Sequence, residues 1–510
     1  MSIPLLGHRT QDGGDTIKLG KNKKQTYYSF MLLLSSLTSA DLTAYNMIKF
    51  FSEMKHRGGI AEAFWRIDLL IKRWNYKTDE AVKIISNIVE KGEFRDFLSR
   101  FSQSVSVGMN MRDFLVVEST KYMITFDSDY GRTTDKLKQI AETFSAILTS
   151  VSFMAISMLI SNMVFSFGDS QTLLIVTALA IAGTLFILDF FIYVMSPKEM
   201  LIHDFVHKPF GLDRLLKINT PLLLFGLIAG FSIPALLLML PGMTEDLLYP
   251  VGVPLIILGI PLFFFGRAAR KRVKHVKDLE EQYPPFIRNL GDAITSTASP
   301  REALVIIRAS DYGKLNGPIL RMDRKMYAGM GDDIAWKLFI EECGSSLISN
   351  HMHAFTDSLA LGAKAALSAD AIFNSLVKTT TRRKKRELVA GFLRAIAMPL
   401  QVTFTAVLIL IHALVTMFSG IASNAGQYLT MLTPSDPALT AYYVYTIIVA
   451  TAFGTAIAIH FLEGESPFGL TYYSGLQMVT TGLVIIVVSI GADALLGQFT
   501  VVSQALPNIE

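Results

Sequence analysis

The stretch RRKKRELVAGFLRAIAMPLQVTFTAVLILIHALVTMF, Arg382–Phe418, decides what kind of fold this chain adopts. It opens on five consecutive basic residues, and from Ile396 to Phe418 it holds no Asp, Glu, Lys or Arg. An apolar run of about 20 residues is the length that crosses a hydrocarbon core of roughly 30 Å as a helix. Lys and Arg resist translocation, so a basic run beside such a span marks its cytoplasmic side. The stretch therefore reads as a membrane helix entered from the cytoplasm.

Six more runs of the same kind flank it: Leu148–Phe167, Leu173–Met195, Leu222–Leu240, Val251–Phe265, Tyr442–Leu462 and Gly475–Leu496. The run at Val251–Phe265 is short and interrupted by Pro254 and Pro261, which leaves the span count around 247–266 open. The charges sort in the same way. All 47 Lys and Arg lie in three segments, 1–147, 196–219 and 267–394, which hold 21, 4 and 22 of them and carry net charges of +4, +1 and +8. The loops between the other runs carry only acidic charge, at Asp169, Glu245, Asp246 and Asp436. This segregation predicts seven spans, a cytoplasmic N-terminus and a C-terminus outside. The whole composition agrees: 51% of the 510 residues are hydrophobic and 18% charged, and mean hydropathy is +0.41. So apolar a chain excludes extensive disorder, and a single cysteine, Cys343, excludes a disulfide scaffold. The first 24 residues lack the apolar core of a cleavable signal peptide, so none is expected.

The two large basic segments read as helical. In the first, after a mobile tail at 1–24, apolar stripes recur at Leu42/Tyr45/Ile48/Phe51, Ala81/Ile84/Ile85/Ile88 and Phe94/Phe97/Leu98/Phe101/Val105. Thr38 with Asp41 resembles a capping box, and Asn110 is placed to cap the helix after Gly108. In the second, Ser299-Pro300-Arg301-Glu302 is a helix start with proline at the first position. Segments 25–147 and 267–394 also match at a near-constant offset: Ala81 with Ala335, Phe101 with Phe355, Ser104 with Ser358, Gly108 with Gly362, and Asp68 with Asp323. Ordered matches of this kind predict a duplication. The expected plan is a tail at 1–24, a helical cytoplasmic domain at 25–147 and four spans within 148–266 with a short cytoplasmic loop at 196–219. A second, homologous domain follows at 267–394, then three spans within 395–496 and an external tail at 497–510. The fold class is an all-α integral membrane protein with two homologous cytoplasmic helical bundles, each expected to fold by itself.

Catalytic chemistry is absent from the sequence. There is no GxxxxGK[ST] loop, no HExxH and no GxSxG. His351 and His353 stand two apart and point to different faces of a helix, which suits packing rather than metal ligation. Asp189, His412, His460 and Asp493 are the ionisable residues of the spans, too few for an active transporter. No catalytic residue, metal or cofactor is expected. The strongest charged features are Arg267, Arg270, Lys271, Arg272 and Lys274, and Arg382, Arg383, Lys384, Lys385 and Arg386. They frame the second domain, and they suit either anionic lipid or the docking of an acidic protein surface.

FRDFLSRFSQSVSVGMNMRDFLVVES, Phe94–Ser119, resembles the glycine-containing helix pair of the type II secretion F family, and HMHAFTDSLALGAKAALSADAIFNSL, His351–Leu376, is a looser copy. With its length and its spans between two domains, the chain looks most like the archaeal branch of that family, which serves the archaellum and archaeal adhesion pili. Seven spans depart from the three or four of bacterial relatives. The resemblance implies a non-enzymatic membrane platform that docks a hexameric secretion ATPase and couples it to pilin-like or archaellin subunits, as a homo-oligomer, with no role for nucleic acid. It also implies that Gly108 and Gly362 are structural helix-junction residues. A membrane transporter or channel is the alternative reading of the spans, and it leaves the two helical domains without a role.

Overall fold

The computed structural model describes residues 16–20, 22–54, 58–164, 170–197, 199, 201–203, 211–240, 244, 246–297, 299–424, 437–464 and 466–504. The acidic loop residues Asp169, Glu245 and Asp436 lie outside them. In chain order the helices are α1 (Lys23–Ser36), α2 (Ala44–Glu53), α3 (Gly58–Trp74), α4 (Thr78–Ile88), α5 (Glu93–Ser106), α6 (Met111–Val164), α7 (Ser170–Met195) and α8 (Leu212–Leu237). After a π-helical turn at Leu248–Gly252 come α9 (Val253–Thr297), α10 (Pro300–Ile307), α11 (Asn316–Tyr327), α12 (Asp332–Cys343), α13 (Ser346–Ala360), α14 (Ala365–Asn424), α15 (Pro437–Glu463) and α16 (Gly469–Gln504). Among the described residues only two isolated bridges, Ile17 with Val89 and Ile202 with Ser345, have strand character. The protein is all-α.

Seven helices are long and apolar enough to cross a membrane: α6, α7, α8, the π-turn with α9, α14, α15 and α16. The prolines around 250 do not remove the fourth of these. Pro254 falls in the first turn of α9, where a missing N–H breaks no intrahelical bond. The last helix continues to Gln504, past its expected end at Leu496.

The chain divides into two compact units, 1–128 with 279–340 and 347–378, and 129–278 with 341–346 and 379–510. Three helices, α6, α9 and α14, contribute residues to both. The first unit contains helices from both basic segments. Tyr28 bonds Ser375 at 2.8 Å, Ser36 Oγ donates to the Ala354 carbonyl at 3.2 Å, and the Lys364 N–H donates to Ser39 Oγ at 3.0 Å. Lys378 pairs with Asp127 at 3.1 Å. The core of the first half is aromatic: Phe30 is fully buried with ring centres of Phe97, Phe51 and Phe94 at 5.2, 5.0 and 5.7 Å.

Two local expectations shift. Ile17 is buried, and its backbone exchanges bonds with Ile88 and Glu90, so packing begins before the tail's expected end at residue 24. The box at Thr38 and Asp41 does not form. Thr43 caps α2 by accepting from Asn46 N–H at 3.2 Å, while Thr38 donates back to Ser35. Asn110 caps α6 as read, accepting from Arg112 N–H at 2.9 Å.

The duplication is visible in the backbone. At a spacing of 254 residues, Thr78 and Asp332 open α4 and α12, Ser106 and Ala360 close α5 and α13, and Met111 and Ala365 open α6 and α14. Gly108 and Gly362 both take left-handed conformations, with φ of 69° and 80°. The following N–H reaches back identically, Met109 to the Ser104 carbonyl at 2.9 Å and Ala363 to Ser358 at 3.0 Å. Asn75 is the counterpart of Gly329 at the same spacing, and both are left-handed, with φ of 54° and 87°. A helix end with a six-to-one bond needs that conformation, which glycine adopts without strain and asparagine tolerates.

In the second unit α15 is central: 67% of its most apolar stretch is buried, against 22–39% for the other six candidates. Small residues make this possible, among them Thr440, Ala441, Thr451, Gly454, Thr455, Ala456 and Ala458. Along the π-turn and α9, glycines recur every seven residues at Gly252, Gly259 and Gly266, and on α16 at Gly475 and Gly482. Every one stands so close to the opposite helix that a Cβ would crowd its backbone or side chains. A seven-residue period keeps one face of each helix against the other.

Candidate functional site: the basic clusters and the end of α15

The two basic clusters meet at the C-terminal end of α15. The final carbonyls of a helix lack intrahelical donors, and the dipole leaves this end negative. Arg386 supplies what is missing. It is buried, 2% exposed, and its Nε donates to the Leu462 carbonyl at 2.8 Å. Its Nη1 donates to the Pro197 carbonyl at 2.8 Å, and its Nη2 to Ser196 Oγ and to the Phe461 carbonyl. Ser196 itself donates to Phe461 at 2.6 Å. One guanidinium thus ties α14 to the end of α7 and the end of α15. Gly464 closes α15 with φ of 61°, and a Cβ there would collide with the Arg386 guanidinium.

The other members of the clusters differ in exposure. Arg383 Nε donates to Glu199 Oε2 at 3.0 Å, with both side chains mostly buried. Burial raises the Glu199 carboxyl, but the Arg383 guanidinium, a hydrogen bond from Tyr130 and the Arg386 charge together hold it below its ordinary value. Arg382 donates to Thr379 and lies 5.4 Å from the Tyr130 ring centre. Arg270 pairs with Glu463 and stacks over Tyr472 and Tyr473 at 4.6 and 5.0 Å. Arg267, Lys271, Arg272, Lys274, Lys384 and Lys385 are exposed. Of the ten basic residues singled out by sequence, the structure brings Arg270 and Arg386 to one helix end and leaves six facing outward.

The reading missed the partners. Ser196, Glu199 and Glu463, together with Tyr193 and His460, border this junction. A cavity of about 460 Å³ opens there, lined by Ser196, Glu199, Arg386, His460 and Gly464 among others. The short segment after α7 also pairs with the α12–α13 junction: Ser346 N–H donates to the Leu201 carbonyl at 3.0 Å and His203 N–H to Gly344 at 3.3 Å. Acidic residues in an otherwise basic loop were the available signal. His351 is buried and bonds the Leu347 carbonyl at 2.8 Å, a packing role. Among the described residues no group of His, Cys, Asp or Glu could hold a metal ion.

No family model and no solved structure matches the chain. Two curated proteins do. Flagella accessory protein J of Methanococcus voltae is 23% identical over 484 residues, which cover 91% of this chain and 85% of that protein. Flagella accessory protein J of Methanocaldococcus jannaschii is 24% identical over 374 residues, 72% of this chain and 65% of that protein. The chain is thus similar over most of its length to archaeal flagella accessory protein J, and this bears out the resemblance to the archaeal branch of the type II secretion F family.

Proposed function

We propose that this multi-pass membrane protein is an archaellum-related assembly protein, the platform on which a hexameric secretion ATPase docks and drives filament subunits. The observation that carries the reading is the similarity to the flagella accessory proteins, which spans both helical segments and the spans between them. The geometry supports it. Helices from both repeats share one compact unit, and α6, α9 and α14 run without a break from that unit into apolar spans. The exposed residues Arg267, Lys271, Arg272, Lys274, Lys384 and Lys385 are the docking charges in this reading, because they face outward.

The test is isolation of the tagged chain from native membranes. It should bring down a hexameric ATPase and filament subunits. Binding of the purified ATPase to the full chain in lipid nanodiscs should weaken about tenfold or more between low and physiological salt. Replacing the six exposed basic residues by Gln should slow association, and a chain isolated without any ATPase, or binding indifferent to salt and to these substitutions, contradicts the proposal.

A further inference from the structure

Beyond motor docking, an open groove runs along α14 over the turns where the helix passes from its polar to its apolar part. Its volume is about 1080 Å³, and Lys384, Glu387, Leu388, Gly391, Phe392, Arg394 and Met398 line it. Leu388 is 73% and Phe392 40% exposed, so the floor is apolar and uncovered.

Arg394 differs from the other arginines of this boundary. Arg270 has Glu463, Arg383 has Glu199, and Arg386 has four acceptors. The Nε of Arg394 is buried without a hydrogen-bond partner among the described residues. Its guanidinium carbon lies 5.6 Å from the Tyr473 ring centre, and among the described residues no carboxylate pairs with it. Arg394 is also the last basic residue of the chain, two residues before the apolar run that begins at Ile396. A buried donor without an acceptor is destabilising, more so when charged. An anion on the groove side of the guanidinium balances that charge.

The occupant must carry an anionic group for Arg394 and Lys384 and apolar chains for the Leu388–Met398 floor. We propose that the groove is a binding site for an anionic phospholipid, with the phosphate at Arg394, the chains along Phe392 and Met398, and Lys384 at the polar end. A water-soluble anion leaves the floor bare, and a neutral lipid leaves the arginine unpaired. Glu387 at the rim offsets part of the charge of Lys384, which makes Arg394 the dominant contact.

A thiol placed at Gly391 tests this. A Cβ there meets nothing within 4 Å, and the native Cys343 is buried, so a fluorophore attaches to the introduced residue. The full chain carrying Gly391→Cys is placed in phosphatidylcholine nanodiscs with brominated phosphatidylglycerol or brominated phosphatidylcholine as quencher. Quenching by the anionic lipid should reach half at a mole fraction at least about fivefold lower, the preference expected of one basic residue near a membrane surface. Arg394→Gln should abolish most of this preference, Arg394→Lys should keep it, and Glu387→Gln should strengthen it. If Arg394→Gln does not fold, Lys384→Gln should reduce the preference on its own. Equal quenching by both lipids overturns the proposal. So does cross-linking between the introduced thiols of two copies, which would make a second chain the occupant, or restoration of fluorescence by inorganic phosphate alone.

Discussion

Replacing Arg386 by Gln should lower stability by on the order of 3–5 kcal/mol, the range for removing one member of a buried charged network. Four acceptors lose this donor at once, the carbonyls of Leu462, Phe461 and Pro197 and Ser196 Oγ, although the Phe461 carbonyl keeps the Ser196 hydroxyl. Glu199 loses one of the two cations that hold its carboxyl down. Arg386→Lys should fail to rescue, because an ammonium has three donors at one point and cannot span acceptors on two helix ends. The measurement is thermal unfolding of the purified protein in detergent, compared with Lys385→Gln. Lys385 is exposed, and its loss should change stability by less than about 0.5 kcal/mol. A common melting temperature for Arg386→Gln and the native chain would mean that Arg386 is a surface charge after all.

Phe30→Ala should cost about 3–5 kcal/mol. The ring is fully buried and stands edge-on to Phe51, Phe94 and Phe97, with Tyr27 and Phe64 about 6.0 Å away. Removing it opens a cavity where α1 meets α2, α3 and α5, and the stiff rings around it cannot collapse into the space. Loss of near-ultraviolet circular dichroism at temperatures where the native chain retains it is the readout. Trp74→Ala is the control, since that ring is 51% exposed.

Much of the architecture was legible because long apolar runs and one-sided stripes leave few alternatives. The seven apolar helices, the cap at Asn110, the helix start at Pro300 and the repeat around Gly108 and Gly362 follow from local chemistry, although the Ser299 side chain makes no capping bond. The role of Arg386 was hidden inside RRKKR, which reads as one solvated run. Helical spacing separates its members: Arg386 shares a face with Val389, Ala390, Leu393 and Ala397, all buried, whereas Lys384 and Lys385 point away. A basic residue in register with an apolar stripe is a buried basic residue, and that signal was present. The partners Glu199 and Glu463 could not be found this way, because they lie 184 residues before Arg383 and 193 after Arg270. The glycine period on α9 and α16 was also open to inspection. Its meaning depends on which helices pack together, which periodicity alone does not say.

The repeats explain the odd number of spans. Each repeat ends in three apolar helices, α6–α8 and α14–α16, and three crossings leave the chain on the far side. A second copy in the same orientation requires one more crossing, which α9 supplies. In the proposed topology both basic segments face the same compartment, the side from which the proposed motor would act. The measurement that tests this most directly is labelling of introduced cysteines with a membrane-impermeant maleimide in intact cells. Thiols at Asp169, Asp436 and Ser503 should react, and thiols at Lys217 and Lys325 should react only after lysis. Labelling of Lys217 or Lys325 in intact cells would place a basic segment outside and contradict a platform driven from the cytoplasm.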